Sequence, residues 1–404
     1  MGLDGRQVAV VGAGIGGITA ALLLAEAGAE VTLLERVAEP AAVGAGILLQ
    51  PNGLAVLGGL GLAAAVEAGG HRAGVATVRG ADGRPIAEVR VPDFGDGLDH
   101  ALAVRRGHLH EVLLAAVRER PAIATRFGTE VTAARADGTV ELGGDGPVTA
   151  ELVVAADGVR STVRDGGAFG SAVRATGARY VRVLVDGDDP TVEGEWWTPL
   201  GLVGGTPTGD GGTYLYASAA APAVSRALDA RDLAAFRDAW AAALPAAGAV
   251  LARVERFDQL LVNEVARVDC ERWADGRLVL LGDAAHAMAP NLGQGANAAM
   301  VDAAVLAAEL AADRPVDEAL RRYEARRRPP VRAVQDAADR LGRLADLRRP
   351  ALCRLRDALL RLVARGGSAE KRARGYQQED PAWLLATTRG LARRSAPGPA
   401  SGEA

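Results

Sequence analysis

The chain has 404 residues, of which 49% are hydrophobic and 24% charged, and its net charge is −4. This composition is typical of a soluble globular protein with about two to three domains, and its net charge implies no broad basic field for nucleic acid. Cys270 and Cys353 are too few for a disulfide framework or a zinc site, so we expect two thiols in a reducing cytoplasm and no bound metal. Charges interrupt the Ala- and Leu-rich stretches, which argues against a membrane span, and no secretory signal is expected.

Residues 6–36 read as strand, glycine turn, helix and strand. The turn carries the pattern G-x-G-x-x-G at Gly12, Gly14 and Gly17. These glycines permit a tight turn, the approach of a pyrophosphate to the backbone, and close helix–strand packing. The helix N-terminus offers N–H groups to phosphates, and Glu35 at the end of the second strand can accept hydrogen bonds from a ribose hydroxyl. The unit predicts a dinucleotide site, and it fits NAD and FAD equally.

A glycine-rich loop follows at residues 43–53, and residues 71–100 have the pattern of short strands with turns. Residues 103–120 indicate the end of a strand and then a helix. Arg105 and Arg106 stand immediately before that helix. We interpret them as surface charges or as contacts to a phosphate or cofactor at the edge of the sheet.

Two later stretches place turns at the carboxyl ends of buried strands, where open α/β sheets bind ligands. In the first, AADGVRSTVR, the turn is Asp157-Gly158. In the second, Gly282-Asp283 follows a strand, a loop runs from Pro290 to Asn297, and a helix is expected over Ala298–Leu310. A glycine-rich loop that enters a helix can direct N–H groups at a carbonyl or an anion. His286 is expected to form local hydrogen bonds beside its turn and not to act as a base.

Between about residues 174 and 268, alternating and aromatic segments predict a mostly antiparallel sheet inserted into the α/β domain. One of its strands is expected at 254–262, and an Ala-rich helix at about 229–243. Tyr214 and Tyr216 lie two residues apart and should face the same side of a strand. Their side chains could serve packing or contact a substrate.

The remainder of the chain is predicted to be helical, and the prolines 329 and 330 are expected to break a helix that starts at Pro315. The Arg-rich faces at 321–328 and 339–364 alternate with acids and are interpreted as solvated helix faces. The tail at 396–404 is expected to be disordered.

The stretches VGAGIGGITAALLLAEAGAEVTLLER, AADGVRSTVR and GRLVLLGDAAHAMAPNLGQGANAAM occur here in order. Together they resemble the single-component (group A) FAD-dependent aromatic hydroxylases of the p-hydroxybenzoate and salicylate hydroxylase type, over about residues 6–335. The resemblance implies an α/β fold with a Rossmann-like FAD-binding domain, an inserted, mostly antiparallel substrate-binding sheet, and C-terminal helices. The boundaries it suggests are 1–70, 101–173 and 269–345 for the FAD-binding domain, 71–100 and 174–268 for the substrate-binding domain, 346–395 for a C-terminal helical segment, and 396–404 for the tail.

The resemblance also implies roles for individual residues. Those expected to bind FAD are Gly12, Gly14, Ile15, Gly17, Glu35, Arg36, Gly46, Ile47, Arg106, Asp157, Gly158, Asp283, Pro290, Gly293, Gln294, Gly295, Ala296 and Asn297. Asp157 and Gly158 match a motif implicated in both FAD and NAD(P)H contact. The substrate-pocket candidates are Gln50, Tyr214 and Tyr216, and no catalytic side chain is assigned.

By the same resemblance, NADPH or NADH would reduce bound FAD as a transient co-substrate, and a flavin peroxide formed with O2 would transfer oxygen. We therefore predict a cytoplasmic monooxygenase that hydroxylates or epoxidises an aromatic or polycyclic small molecule in secondary-metabolite biosynthesis. Its expected partners are that substrate and O2, without nucleic acid or a membrane, and the expected state is a monomer or homodimer. Baeyer–Villiger insertion remains open, since the flavin chemistry is shared up to the last step.

Four other functions share part of the pattern. An NAD-dependent dehydrogenase would begin with the first motif but would not need Asp157-Gly158 or Gly282-Asp283. A flavin halogenase would need a W-x-W-x-x-P motif, which Glu195-Trp196-Trp197 does not match. It would also need a lysine beside the pocket, whereas Lys371 lies in the C-terminal region. A role in which FAD shapes a pocket without redox turnover, as in a cyclase, or another flavin oxidoreductase activity, also stays open.

Overall fold

The computed structural model describes residues 3–39, 45–364 and 368–395, so the tail predicted at 396–404 lies outside the described residues. The strands are β1 Gln7–Val11, β2 Glu30–Glu35, β3 Gly46–Leu49, β4 Gly70–Ala73, β5 Val75–Gly80, β6 Pro85–Arg90, β7 Ala101–Arg105, β8 Ile123–Phe127, β9 Val131–Ala134, β10 Thr139–Leu142, β11 Val148–Thr149, β12 Leu152–Ala155, β13 Ser171–Asp186, β14 Gly194–Thr198, β15 Gly201–Pro207, β16 Gly212–Ser218, β17 Leu261–Cys270, β18 Ala274–Asp275 and β19 Leu278–Leu280.

The helices alternate with these strands in the first half of the chain and dominate its end. They are α1 Ile15–Glu26, α2 Pro51–Gly59, α3 Ala63–Glu67, α4 Arg106–Arg118, α5 Thr162–Gly166, α6 Pro222–Asp229, α7 Leu233–Ala243, α8 Pro245–Leu251, α9 Asp283–His286, α10 Gly295–Ala311, α11 Val316–Ala345, α12 Pro350–Ala364, α13 Ser368–Gly375 and α14 Pro381–Ser395.

The first sheet has the strand order β18-β19-β12-β1-β2-β8. Its strands are parallel except for β18. The strands β1, β12 and β19 are buried along almost their whole length, as expected for a parallel sheet covered on both faces. Helices α1 and α10 pack against each other so closely that a Cβ at Gly16 would lie 2.9 Å from the Cβ of Ala299. The carboxyl ends of β1, β12 and β19 therefore meet at one edge, where all three sequence motifs lie.

The inserted sheet has the order β17-β13-β16-β15-β14-β5-β6 and is antiparallel except for the pair β14–β5. Helices α6, α7 and α8 cover one face, with Phe236 and Trp240 fully buried there. The opposite face carries Tyr214 and Tyr216 and turns toward the motif edge of the first sheet. Small sheets β3-β7-β4 and β11-β10-β9 complete the fold.

The prediction that prolines 329 and 330 break a helix is wrong, because α11 runs through both of them from Val316 to Ala345. Proline removes a backbone hydrogen bond, but tertiary contacts hold this helix on either side of the pair. Arg327 is fully buried and bonded to α10, and Val331 and Val334 are buried beyond the prolines. The packing of α11 on both sides of the prolines therefore outweighs the cost of the backbone hydrogen bonds that the two prolines remove.

Two predictions for the inserted region need correction. Residues 254–262 are mostly not a strand: a 3-10 turn occupies Phe257–Gln259 and β17 begins at Leu261. The Gln259 side chain accepts hydrogen bonds from the backbone N–H groups of Glu255 and Arg256, both at 2.8 Å, which favours the turn. The predicted helix at 229–243 starts only at Leu233, because the Asp232 side chain caps it there.

Candidate functional site

The turn after β1 is built on glycines that touch neighbouring backbone. Gly12 has φ +99°, and a Cβ there would lie 2.5 Å from the carbonyl oxygen of Ala156. A Cβ on Gly17 would lie 1.8 Å from the carbonyl oxygen of Gly12. Gly14 differs, since a Cβ there would meet nothing within 4 Å. The space beside Gly14 is therefore open to a ligand, whereas Gly12 and Gly17 are required by the fold itself.

Helix α1 begins at Ile15 with an N-terminus suited to an anion. No side chain caps it and no acid lies in its first turn. Its first N–H groups and the positive end of the helix dipole are thus available to a phosphate.

Glu35 holds this turn in place from the end of β2. Its carboxylate accepts hydrogen bonds from the N–H of Ala13 at 2.8 Å and of Val37 at 3.0 Å. His110 contributes from α4, since its Nε2 lies 2.9 Å from the carbonyl oxygen of Ala13. A carboxylate has about four acceptor sites, so Glu35 keeps capacity for a hydroxyl. Arg36 is exposed beside it.

Asp157 lies at the end of β12, next to the Gly12 turn. Its Oδ2 accepts a hydrogen bond from the N–H of Val163 at 3.2 Å, while its buried Oδ1 has no hydrogen-bond partner in the structure. Burial raises the pKa of the Asp157 carboxyl. Gly158 follows with φ +80° and makes the sharp turn away from the strand. A buried acceptor without a partner suits a ligand that brings a donor.

Asp283 and Arg106 face each other across the motif edge. Gly282 has φ +63°, and its N–H donates to Oδ2 of Asp302 at 3.1 Å, which fixes the turn before Asp283. The Asp283 side chain is exposed. The Arg106 side chain is accessible to solvent and is partly desolvated by the residues around it. Desolvation and the charge of Arg182 lower the pKa of Arg106, and the charge of Asp283 opposes this shift.

Asn297 joins the loop at 290–297 to strand β3. Its Oδ1 accepts a hydrogen bond from the N–H of Gln50 at 3.0 Å, and its Nδ2 donates to the carbonyl oxygens of Leu48 at 3.0 Å and Gly293 at 2.8 Å. Helix α10 begins at Gly295, three residues before the predicted start, so Gly295, Ala296 and Asn297 form its first turn. The amide therefore sets the distance between β3 and the N-terminus of α10.

Replacing Asn297 with alanine should loosen this junction. The partly buried backbone groups of Gln50, Leu48 and Gly293 would lose their partner, at a total cost of about 1–3 kcal/mol. We expect a lower free energy of unfolding in urea and weaker FAD binding, measured by flavin fluorescence. Asn291→Ala, in the same loop, is the control, because the Asn291 Nδ2 bonds the Tyr180 hydroxyl and, within the described residues, no backbone group of β3. If the two substitutions lowered stability and FAD binding equally, the role assigned to Asn297 in joining β3 to α10 would be contradicted.

Tyr214 and Tyr216 lie together on the face of the inserted sheet that turns toward β3. Their ring centroids are 5.6 Å apart. A Cβ on Gly46 would lie 2.4 Å from the Tyr214 ring, and a Cβ on Gly204 would lie 2.5 Å from the Tyr216 ring. Glycines at both positions therefore let the two rings pack closely, and Tyr214 contacts the strand that carries Gly46 and Ile47.

Glu195 extends this row of polar side chains. It accepts hydrogen bonds from Trp197 Nε1 at 2.5 Å and from the Tyr216 hydroxyl at 3.2 Å. Burial raises the pKa of the Glu195 carboxyl and of both tyrosine hydroxyls. Sequence reasoning used Glu195 only to exclude a halogenase motif. The sequence did contain a signal for this acid, since Glu195 and Trp197 lie two residues apart on β14 and therefore share one face of the strand.

A second set of residues that sequence reasoning missed is a buried polar network behind the motif edge. Asp302 accepts hydrogen bonds from Arg327 Nε at 2.7 Å and from His286 Nε2 at 2.5 Å. Arg327 donates in turn to Oε1 of Gln378 at 3.0 Å, and Gln378 Nε2 donates to Gln294 Oε1 at 3.0 Å. His286 therefore bonds a residue of α10 and not its own turn. The network connects the loop before α10 to the C-terminal segment.

The structure brings most of the predicted residues to the motif edge of the first sheet or to the strands and loops that contact it. Those placed around it are Gly12, Gly14, Ile15, Gly17, Glu35, Gly46, Ile47, Gln50, Arg106, Asp157, Gly158, Tyr214, Asp283, Gly293, Gln294, Gly295, Ala296 and Asn297. Arg36 and Pro290 are exposed. Arg105, unlike Arg106, pairs with Asp210 at 2.5 Å. Within the described ranges, no group of His, Cys, Asp or Glu side chains is arranged to hold a metal ion, and every helix is too short or too polar to span a bilayer.

Residues 6–338 match the family described as "FAD binding domain". The chain belongs to this family. The match includes the three motifs and the inserted sheet, and together with the relatives described below it confirms the predicted membership among FAD-dependent aromatic hydroxylases. It also removes the NAD-dependent dehydrogenase as an alternative.

Known proteins are similar to the chain over almost its whole length. The 3-amino-4-hydroxybenzoate 2-monooxygenase of Streptomyces cremeus is 35% identical, with 95% of this chain and 96% of the relative covered. The 2-heptyl-3-hydroxy-4(1H)-quinolone synthase of Mycobacteroides abscessus is 35% identical, with coverages of 82% and 88%. Klebsiella pneumoniae HpxO, solved with FAD and uric acid, has a TM-score of 0.78 at 25% identity, with coverages of 95% and 97%.

A further solved structure, a mutant 2-methyl-3-hydroxypyridine-5-carboxylic acid oxygenase, has a TM-score of 0.77 at 28% identity and coverages of 94% and 98%. These similarities confirm the predicted α/β fold with an inserted sheet and C-terminal helices. The chain is an FAD-dependent monooxygenase, with FAD as cofactor and NAD(P)H as the co-substrate of the family.

Proposed function

We propose that this monooxygenase inserts one oxygen atom from O2 into an aromatic or polycyclic small molecule held between the inserted sheet and the flavin. The observation that carries the proposal is the contact of Tyr214 with Gly46, because it joins the polar face of the sheet to the cleft formed by the three motifs. The relatives' names denote a benzoate, a quinolone and a pyridine carboxylic acid, which are all aromatic. We place the enzyme in the cytoplasm, as a monomer or homodimer, in secondary metabolism.

The residues of the cleft fit FAD. The open side of Gly14 and the N-terminus of α1 would accept the pyrophosphate, and Glu35 would accept hydrogen bonds from the adenosine ribose. The buried Oδ1 of Asp157 and the exposed Asp283 carboxylate would take donors from the remaining polar part of the cofactor. When bound and reduced, FAD supplies the oxygen-activating chemistry, so no nucleophilic side chain or metal is required of the protein.

The row Glu195, Tyr216 and Tyr214 would orient the substrate, with Gln50 on the opposite wall. Burial raises the pKa of the Tyr214 hydroxyl, which would donate a hydrogen bond to an oxygen or nitrogen substituent on the ring. The Tyr216 hydroxyl donates to Glu195 and would keep an acceptor site for the substrate. The sheet and its aromatic side chains also keep water from the reacting centre.

The function is tested with isotopically labelled O2. The purified FAD-loaded enzyme is incubated with NADPH or NADH and a panel of benzoates, quinolones and hydroxypyridines. We expect at least one compound to accelerate nucleotide oxidation and to gain one labelled oxygen atom, seen by mass spectrometry. Nucleotide oxidation that yields only hydrogen peroxide with every aromatic compound would contradict the proposed substrate class.

Replacing both tyrosines with phenylalanine should separate substrate binding from FAD binding. Tyr214→Phe with Tyr216→Phe keeps the rings that pack on Gly46 and Gly204 but removes both hydroxyls. We expect kcat/KM to fall by about 10–100-fold, equivalent to about 1.4–2.7 kcal/mol, with more NADPH consumed per product formed. FAD affinity should be unchanged. Unaltered kinetics and coupling would remove both tyrosines from the proposed pocket.

A further inference from the structure

Helix α12 turns four of its five leucines away from the protein, and only Leu360 packs inward. Leu352, Leu355, Leu359 and Leu362 follow one another at spacings of three and four residues and are 42%, 56%, 54% and 64% exposed. Leu344 and Val363 are also exposed, and we call these six residues the leucine ridge. A surface helix of a globular protein normally directs such a stripe at the core. Here no described residue covers it.

The opposite face of α12 is the one that binds the protein, and it is charged. Arg356 is buried, with its guanidinium 5.0 Å from the ring centroid of Trp197. It donates to the carbonyl oxygen of Leu344 at 3.0 Å and to Asp357 at 2.8 Å. Rotating the helix to bury its leucines would expose this anchored arginine. The outward direction of the leucine ridge is therefore fixed by the fold.

The segment that carries the leucine ridge is strongly basic. Between Arg340 and Arg374 the sequence has eleven Arg or Lys residues and three Asp or Glu residues, a net charge of +8. The whole chain has a net charge of −4, so the rest carries −12. Four arginines beside the ridge are exposed, namely Arg343, Arg348, Arg349 and Arg354. The acids are too few in this segment to neutralise it, in contrast to the alternating faces inferred from the sequence.

We propose that the leucine ridge docks the enzyme on the surface of a membrane that contains anionic lipids. The leucines would enter the boundary between headgroups and acyl chains, and the flanking arginines would contact lipid phosphates. The helix would lie along the membrane surface and not cross it. The sequence expectation of no membrane partner rested on the absence of a spanning segment and did not consider this arrangement. The proposal does not depend on which substrate the enzyme oxidises.

Charge favours a membrane over a second copy of the chain. A two-fold symmetric dimer through the leucine ridge would place the same surface on both subunits face to face. Two segments of net charge +8 would then repel each other. An anionic bilayer instead offers negative headgroups above an apolar layer, which matches both properties of the surface.

The test uses the full-length FAD-loaded enzyme and sedimentation with vesicles. Vesicles of phosphatidylcholine with phosphatidylglycerol are compared with vesicles of phosphatidylcholine alone. We expect at least about tenfold stronger partitioning onto the anionic vesicles, and release when ionic strength rises from about 0.1 M to about 1 M. Leu355→Gln with Leu359→Gln should reduce partitioning at least about tenfold without changing the thermal midpoint. Val173→Gln, at an exposed valine elsewhere, is the matched control and should bind as the parent does.

Three results would overturn the proposal. The first is no binding to anionic vesicles, which would leave a protein with an acidic surface as the candidate occupant. The second is equal binding of the double leucine variant and the parent. The third is a solution dimer that the double leucine variant dissociates, since the ridge would then be an interface between copies of the chain.

Discussion

Replacing Gly14 with valine should abolish tight FAD binding while leaving the fold of the chain intact. A Cβ at this position meets nothing within 4 Å, and the backbone angles of Gly14, φ −76° and ψ 178°, are ordinary for valine. The added side chain would occupy the space beside the N-terminus of α1 that we assign to the pyrophosphate. We expect the dissociation constant for FAD to rise at least about 100-fold, equivalent to about 2.7 kcal/mol, in titrations of the apoprotein.

Substitutions at two further glycines show whether the loss of FAD binding is specific to Gly14. Gly146→Val is the matched control, because Gly146 also has nothing within 4 Å of a Cβ and lies in a loop outside the cleft. It should leave FAD affinity unchanged. Gly17→Ala should instead lower the free energy of unfolding of the apoprotein by about 1–3 kcal/mol, because its Cβ would lie 1.8 Å from the carbonyl oxygen of Gly12. Normal FAD affinity in Gly14→Val would contradict the assigned position of the pyrophosphate.

Replacing Asp302 with asparagine should cost about 3–5 kcal/mol of stability, since it leaves a buried charge without its counter-ion. Asp302 and Arg327 are both fully buried and are paired at 2.7 Å. An asparagine amide would also direct N–H groups at the donors on Gly282 and His286. Because Gly282 precedes Asp283, we expect weaker FAD binding as well. Urea unfolding at neutral pH measures the loss.

This effect should depend on pH in a defined direction. Burial raises the pKa of the Asp302 carboxyl, but His286 and Arg327 lower it more, so the net pKa lies below the ordinary value. The carboxylate therefore stabilises the fold above the unfolded-state pKa of about 3.9, and this contribution is lost as pH falls through the folded-state pKa. The difference between the parent and Asp302→Asn should be full at neutral pH and shrink below about pH 4.

Asp238→Asn provides the control for charge removal alone. Asp238 is exposed on α7, so this substitution should change the free energy of unfolding by less than about 0.5 kcal/mol. If Asp302→Asn were equally mild, the buried pair would not hold the C-terminal segment to the cofactor-binding helices.

The parts of the site that follow from local sequence were predictable. Gly12 and Gly17 occupy fixed positions between a strand and a helix. Because they are close together in the sequence, their spacing alone predicts the geometry of the turn between the two elements. Asp157 and Asp283 could be found for the same reason, since each follows an apolar strand. The family resemblance then extended these motifs to the loop that ends at Asn297.

The parts that depend on distant contacts were not predictable from one sequence. Asp302 reads as an isolated acid in an Ala-rich helix, and its partner Arg327 lies 25 residues away in a helix that two prolines were expected to interrupt. Gln378, with φ +65°, joins the network from a segment with no motif. Glu195 was missed because its burial depends on Tyr216, on a different strand. In each case tertiary packing decides the role.

Anaerobic reduction of the purified protein with NADH and with NADPH tests the central claim most directly. We expect a yellow protein whose oxidised-flavin absorption is lost with at least one nucleotide, faster when an aromatic substrate is present. The absorption should return when O2 is admitted, with one oxygen atom transferred to that substrate. Bound FAD that resists both nucleotides, with and without candidate substrates, would contradict the monooxygenase account and favour a role in which the flavin does not turn over.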